Sequence, residues 1–240
     1  ASDIYSANSF QPPMTIGTVQ ASPLTMANVY ATMGANGVEC TPIAITKVTD
    51  RSGSKVKVPS ANCHQAIDPD IAQTVSYALN QGVVQPGGEA STTQLDNNRK
   101  TFAKTGTNEN TVMATAGFVP NQVAAFVAVA DAQDPINNTF DNKTINGVYR
   151  PSWYGMYIAT PAWKQFMNTY LAAINAPIDN DYGKGADKYT VSKGATRTYN
   201  QYQYQRQQNS QQQSQQQTNQ GQQQQSQQQP AEQQSDQQHQ

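Results

Sequence analysis

The chain has 240 residues, of which 36% are hydrophobic and 13% charged, with a formal net charge of −1. That balance implies no large basic surface for nucleic acid. His64 and His239 are the only histidines, which disfavours a histidine-based metal site or a His-dependent triad. No apolar run approaches the roughly 18 residues of a membrane span. The apolar deficit is local, because 24 of the last 40 residues are glutamine. The roughly 200 residues before them have ordinary composition and can bury a core. The sequence starts at Ala1, with no signal-like segment after it. A processed start or a piece of a longer protein is the expectation.

Residues 1–20 are polar and read as loop. Ser22-Pro23 then reads as an N-cap followed by proline at the first helical position. Leu24, Met26, Ala27, Tyr30, Ala31 and Met33 form the apolar stripe, and Gly34 to Gly37 end it. Next comes a hairpin. Ile43 to Thr49 alternates, Asp50-Arg51-Ser52-Gly53 is turn chemistry, and Lys55 to Val58 alternates again. Cys40 and Cys63 flank this hairpin with 22 residues between them, a spacing foreign to CxxC metal or redox sites. A disulfide across the hairpin base is geometrically plausible. It would stabilise by about 3 kcal/mol in the chain-entropy model and would imply an oxidising compartment. The alternative is two unrelated buried thiols.

Asp68-Pro69 opens a second helix, with Ile71, Ala72, Val75, Ala78 and Leu79 on one face and a stop at Gln81-Gly82. Gly87 to Arg99 reads as loop. Three strand-like runs follow. They are Thr101 to Thr107, Ala114 to Val119, and Val123 to Ala130, the last continuously apolar as in a strand covered on both faces. Residues 131–155 read as a polar insertion with a small aromatic cluster at Tyr149, Trp153 and Tyr154. Thr160-Pro161 caps a third helix whose stripe is Trp163, Phe166, Met167, Tyr170, Leu171 and Ile174, stopped by Pro177. Helix, hairpin, helix, antiparallel strands and helix make an α+β pattern over residues 1–180. Residues 181–240 read as a disordered Gln-rich tail, with too few aliphatic side chains to offset chain entropy.

The chemistry-bearing motif is Lys104-Thr105-Gly106-Thr107, on a strand-like run. A strand edge with a lysine, two hydroxyls and a glycine suits a carboxylated peptide. The lysine supplies charge, the hydroxyls donate, and the glycine admits the substrate backbone. A solvent-facing strand with an ordinary lysine is the alternative for the triplet alone.

With its surroundings, the motif resembles the penicillin-binding protein group. Thr15 to Val38 (TIGTVQASPLTMANVYATMGANGV), Pro42 to Gly53 (PIAITKVTDRSG) and Ala114 to Pro120 (ATAGFVP) look like segments of class A, bifunctional members. Cys40 and Ser60-Ala61-Asn62-Cys63 resemble actinobacterial ones. The resemblance covers about residues 10–176, in order. It implies a partial α+β transpeptidase domain of β-lactamase-like fold, with a five-stranded antiparallel sheet between helical layers. It implies that Lys104 anchors the substrate carboxylate and tunes a serine–lysine proton network. Thr105 and Thr107 would bind the carboxylate of a D-Ala-D-Ala stem peptide or a β-lactam. Gly106 would allow close approach, and the Thr107 N–H would be half of an oxyanion hole. No cofactor or metal is implied. The parent would sit at the extracytoplasmic face, with the membrane reached only through a missing N-terminal anchor.

The nucleophile motif S-x-x-K does not lie upstream of Lys104 in a helix. The match Ser52-Gly53-Ser54-Lys55 falls in the hairpin turn, where serine and lysine cannot share a buried helix face. Two S-x-N matches, Ser6-Ala7-Asn8 and Ser60-Ala61-Asn62, are also out of context. The glycosyltransferase domain of class A enzymes is absent too. The sequence therefore reads as the C-terminal portion of a D,D-transpeptidase domain, inactive alone. A noncatalytic wall-binding or scaffold module and a β-lactamase-like hydrolase are the competing readings. If the nucleophile-bearing helix is missing, part of the sheet's apolar face lies bare. The isolated chain is then expected to bind a hydrophobic dye and melt broadly; a sharp, cooperative calorimetric transition would count against this.

Overall fold

The computed structural model describes residue 17, residues 19–186 and residue 189. Helix α1 spans Pro23–Gly34, and the Ser22 hydroxyl accepts the Thr25 N–H at 3.1 Å. It ends where Asn36 takes a left-handed conformation (φ 57°) and the Gly37 N–H returns to the Thr32 carbonyl at 2.8 Å. Helix α2 spans Pro69–Val84, with the Asp68 carboxylate accepting from the N–H groups of Asp70 and Ile71. It runs past the expected stop at Gly82 because Val83 is buried there, outweighing the glycine's low helix propensity.

Between the helices, strands β1 (Val38–Glu39) and β4 (His64–Gln65) pair antiparallel, as do β2 (Val48–Thr49) and β3 (Lys55–Val56). The expected hairpin is present but short. Its side chains at Ile45, Val48 and Val56 are exposed, so little burial holds a longer ladder. Asp50 closes the turn by accepting from the Ser52 N–H (2.8 Å), the Ser52 hydroxyl (2.6 Å) and the Ser54 N–H (2.9 Å). These bonds, the Ser52 hydroxyl first, hold its carboxyl below the ordinary aspartate range. The Ser52-Gly53-Ser54-Lys55 match therefore lies in an Asp turn, its Ser52 hydroxyl engaged by Asp50. Cys40 and Cys63 are disulfide-bonded, S–S 2.05 Å.

The main sheet has the order β5-β6-β7, all antiparallel, from Phe102–Asn108, Val112–Val119 and Val123–Ala130. It has three strands among the described residues, fewer than the five the resemblance implies. The apolar run of β7 suggested two covered faces. In the structure both faces of β7 do meet core, with Val123 and Val127 packed toward Trp163 and Ala124 toward Phe102 and Phe118. But β7 is an edge strand whose side chains are mostly half-buried, and β6 is the more deeply buried strand. Pattern alone does not tell an edge from a centre, because β7 is largely alanine and valine.

Helix α3 (Ala159–Ala173) lies on one face of the sheet, and its Trp163 is fully buried. A Cβ added at Gly117 of β6 would stand 2.6 Å from the Trp163 ring, so the indole needs glycine beneath it. The indole N–H donates to the Ala125 carbonyl at 3.1 Å. Thr160, expected as the cap, is instead inside the first turn. Its hydroxyl pairs with that of Thr115 at 2.8 Å, both side chains buried. The helix ends before Pro177, at left-handed Asn175 (φ 48°), with the Ala176 N–H bonded to the Leu171 carbonyl at 2.9 Å.

On the other face, Phe102 stacks on Phe118 with ring centroids 4.9 Å apart, and Tyr30, Met33 and Leu79 from α1 and α2 pack around them. The packed body does not stop at residue 180, where composition put the tail boundary. Tyr182 is 8% exposed, meets Phe102 edge-on at 5.7 Å, and donates its hydroxyl to the Met33 carbonyl. One buried aromatic anchors a segment whose average composition is polar. The glutamine-rich stretch beyond residue 190 lies outside the described residues.

The 131–155 insertion also contains more order than its polarity suggested. Strands β8 (Lys143–Ile145) and β9 (Val148–Arg150) form a hairpin about Asn146-Gly147, both at positive φ (50° and 78°), the Asn-Gly turn that matches strand twist. The aromatic cluster is differently composed. Trp153 is buried and packs edge-on with Tyr157 at 6.3 Å, whereas Tyr149 is exposed and bonds Asn142.

The buried hydroxyl pair yields a test. Thr115→Val alone leaves Thr160 without its partner and should cost about 1–3 kcal/mol. Changing both to valine should recover most of that loss. Urea unfolding followed by tryptophan fluorescence reads both.

Candidate active site

Strand β5 carries the Lys104-Thr105-Gly106-Thr107 motif on the sheet edge away from β7. Strand alternation puts Lys104 and Gly106 on one face and Thr105 and Thr107 on the other. Lys104 is exposed. Its ammonium donates to the Thr105 carbonyl at 2.7 Å and lies 3.4 Å from the Glu89 carboxylate. The Thr105 carbonyl takes this bond from outside the ladder. On an antiparallel edge strand, N–H and C=O of one residue point the same way and alternate with the next residue. The Thr107 N–H, two residues on, therefore also points off the free edge.

The Thr105 hydroxyl donates to the Glu89 carbonyl at a long 3.5 Å. Behind Gly106, an added Cβ would meet the Ala114 Cβ at 3.5 Å, an ordinary contact. Glycine here is thus not demanded from behind. Thr107 is exposed, and its Oγ1 accepts the Gly155 N–H at 3.0 Å.

Three features escaped the sequence reading. Glu89 stands beside Lys104 although its loop signalled only irregular backbone. Gly155 touches Thr107 from the end of the polar insertion. Arg99, 7% exposed, donates to the carbonyls of Pro177 (2.5 Å) and Ala176 (2.9 Å) and fastens the chain after α3. A buried arginine was foreseeable only from its position just before the strand. Cys40, Cys63 and Ser60-Ala61-Asn62 lie in the hairpin arm, and the structure does not bring them to the β5 motif; Ser6-Ala7-Asn8 lies outside the described residues. A pocket of about 370 Å³ lies elsewhere, between Asp96, Asn97 and the end of α3, and none of the motif residues lines it. Among the described residues, no three His, Cys, Asp or Glu side chains group to hold a metal.

Comparison with known proteins gives this strand its setting. Residues 4–167 match the model of the penicillin binding protein transpeptidase domain. The chain belongs to that family. It is 30% identical over 167 residues to penicillin-binding protein 1A of Neisseria gonorrhoeae, covering 66% of the chain and 19% of that protein. It is 27% identical over 168 residues to penicillin-binding protein 1A of Mycolicibacterium smegmatis, covering 66% of the chain and 20% of that protein. The chain thus spans about a fifth of the length of the curated relatives it matches. Its fold is that of the PonA1 protein of Mycobacterium tuberculosis, solved with penicillin V, at TM-score 0.59 and 22% identity over 73% of this chain and 44% of that one. A peptidoglycan synthetase of Bifidobacterium adolescentis gives TM-score 0.52 at 15% identity, covering 73% of this chain and 32% of that one. The partial transpeptidase fold expected from the motifs is therefore the fold present.

The Lys104–Glu89 pair is open to water, with side chains 55% and 81% exposed. Glu89→Gln should consequently change urea resistance by less than about 0.5 kcal/mol, as read by the same fluorescence assay.

Proposed function

We propose that this chain is the substrate-carboxylate wall of a serine-type D,D-transpeptidase, one part of a bifunctional wall synthase. The observation that carries the reading is the position of Lys104-Thr105-Gly106-Thr107 on a strand edge with the Thr107 N–H directed off it. The chain's membership in the transpeptidase family supports it.

In this reading a stem peptide ending in D-Ala-D-Ala, or a β-lactam, lies along β5. Lys104 supplies positive charge near its carboxylate, and the Thr105 and Thr107 hydroxyls donate to that group. To reach the substrate, Lys104 leaves Glu89, a weak surface partner. The Thr107 N–H faces the carbonyl under attack and stabilises the oxyanion of the tetrahedral intermediate. Gly106 presents no side chain to obstruct the peptide. The serine nucleophile and the lysine acting as its base come from another part of the parent, as does the glycosyltransferase. The chain alone then has no transpeptidase activity. The Cys40–Cys63 disulfide suits an oxidising, extracytoplasmic location. The parent reaches the membrane through an anchor in another segment; no helix among the described residues is long and apolar enough to cross one.

The test is labelling with fluorescent penicillin. The full-length synthase should form a covalent adduct, and Lys104→Ala should slow its formation about 100-fold or more. The 240-residue chain should form none. An adduct on this chain, located by mass spectrometry, would overturn the division of roles. An unchanged rate in Lys104→Ala would overturn the role of β5.

A further inference from the structure

We infer that Gly155 is a positioning residue for the same site, holding the Thr107 hydroxyl in one orientation so that its proton faces the substrate carboxylate. The inference rests on the transpeptidase reading and extends it to a residue outside the K-T-G strand.

Three observations converge on Gly155. Its N–H donates to Thr107 Oγ1 at 3.0 Å. Its backbone lies directly on the strand pair, since an added Cβ would stand 2.4 Å from the Gly106 carbonyl oxygen and 2.6 Å from that of Ala114. Its own carbonyl accepts the Thr160 N–H at 2.9 Å. Thr160 is in turn fixed to β6 through the Thr115 hydroxyl at 2.8 Å. Gly155 is buried, so its N–H stands in a site closed to water while Thr107 faces out.

The chemistry follows from the capacity of a hydroxyl. Threonine has one O–H donor and two lone pairs. One lone pair is taken by Gly155, which fixes the oxygen. The hydrogen is left to be donated, and a carboxylate on the open side is the acceptor that gains most from it. Without the Gly155 bond the oxygen is free to rotate and turn a lone pair toward the substrate anion. Glycine is required for steric reasons, because any side chain would push the segment off β5 and lengthen the bond.

Two measurements decide it. In the full-length synthase, hydrogen exchange of the Gly155 amide should speed up at least tenfold in Thr107→Val, which lacks the acceptor, and stay slow in Thr107→Ser, which keeps it. Equal exchange in the two variants overturns the proposal. In the full-length synthase, Gly155→Ala should slow acylation by a free-acid penicillin about tenfold. Acylation by the methyl ester, which lacks the anion, should change less than twofold. Thr107→Val should show the same acid-selective loss, Thr107→Ser should restore much of it, and Gly155→Ala should add nothing in the Thr107→Val background. Equal loss with acid and ester marks Gly155 as merely structural and overturns the role. If Gly155→Ala fails to fold, the exchange pair decides alone. If the wild-type synthase forms no acyl adduct, the transpeptidase reading falls and the role of Gly155 with it, while the exchange data still report the bond.

Discussion

The indole of Trp163 lies on the backbone of β6 at a point where β6 has no side chain, and much of the rest is arranged around that approach. Gly117 leaves room for the ring, and the Ala125 carbonyl on β7 takes its N–H. The contact thus ties α3 to two strands at once. The sheet cannot shift beneath the helix without breaking a buried hydrogen bond or opening a cavity, each a substantial fraction of a small domain's stability. Strand β5 inherits this rigidity through its ladder to β6, where Ala103 lies opposite Gly117. The β5 edge is therefore held from behind, by a strand and a helix.

The opposite face is built by different means. There the large side chains come from the sheet itself, with Phe102 and Phe118 stacked and helices α1 and α2 laid over them. Gly34 lies so near Phe118 that an added Cβ would be 2.8 Å from its ring. Both faces thus combine one small residue with one large aromatic, and the glycine sits on the strand in one case and the helix in the other. Aromatic burial dominates because the sheet is narrow and few positions are fully enclosed.

What could be read from the sequence was local. Ser22-Pro23 and Asp68-Pro69 mark helix starts because a cap involves only three or four neighbouring residues. The bounds of β5 to β7 followed from runs and turns within one segment, and the Lys104 motif was legible because its four residues are adjacent. The failures were about partners far along the chain. Thr160-Pro161 has the composition of a cap, yet its hydroxyl is engaged by Thr115, 45 residues away. Tyr182 sits in a polar stretch but reaches Met33, 149 residues back. Val123 to Ala130 reads as covered on both faces, but its place at the sheet edge was not legible, since strand order is a property of the whole sheet. Asn146-Gly147 is a different case: that turn signal was local and simply overshadowed by the polarity around it.

The Cys40–Cys63 arm is attached to the molecule by few buried contacts. Its strands are two residues long and exposed, so its order comes from the covalent link, the Asp50 turn, the short β2–β3 pair and the Thr41 N–H bonded to the Ala61 carbonyl at 2.7 Å. A crosslink at the base confines the unfolded arm as much as it supports the folded one. The arm is thereby tethered like a closed loop of string, able to lose its shape and regain it without dragging on α1 or α2. Insertions or sequence drift between the two cysteines would be absorbed inside that loop, leaving the register of the β5 edge untouched.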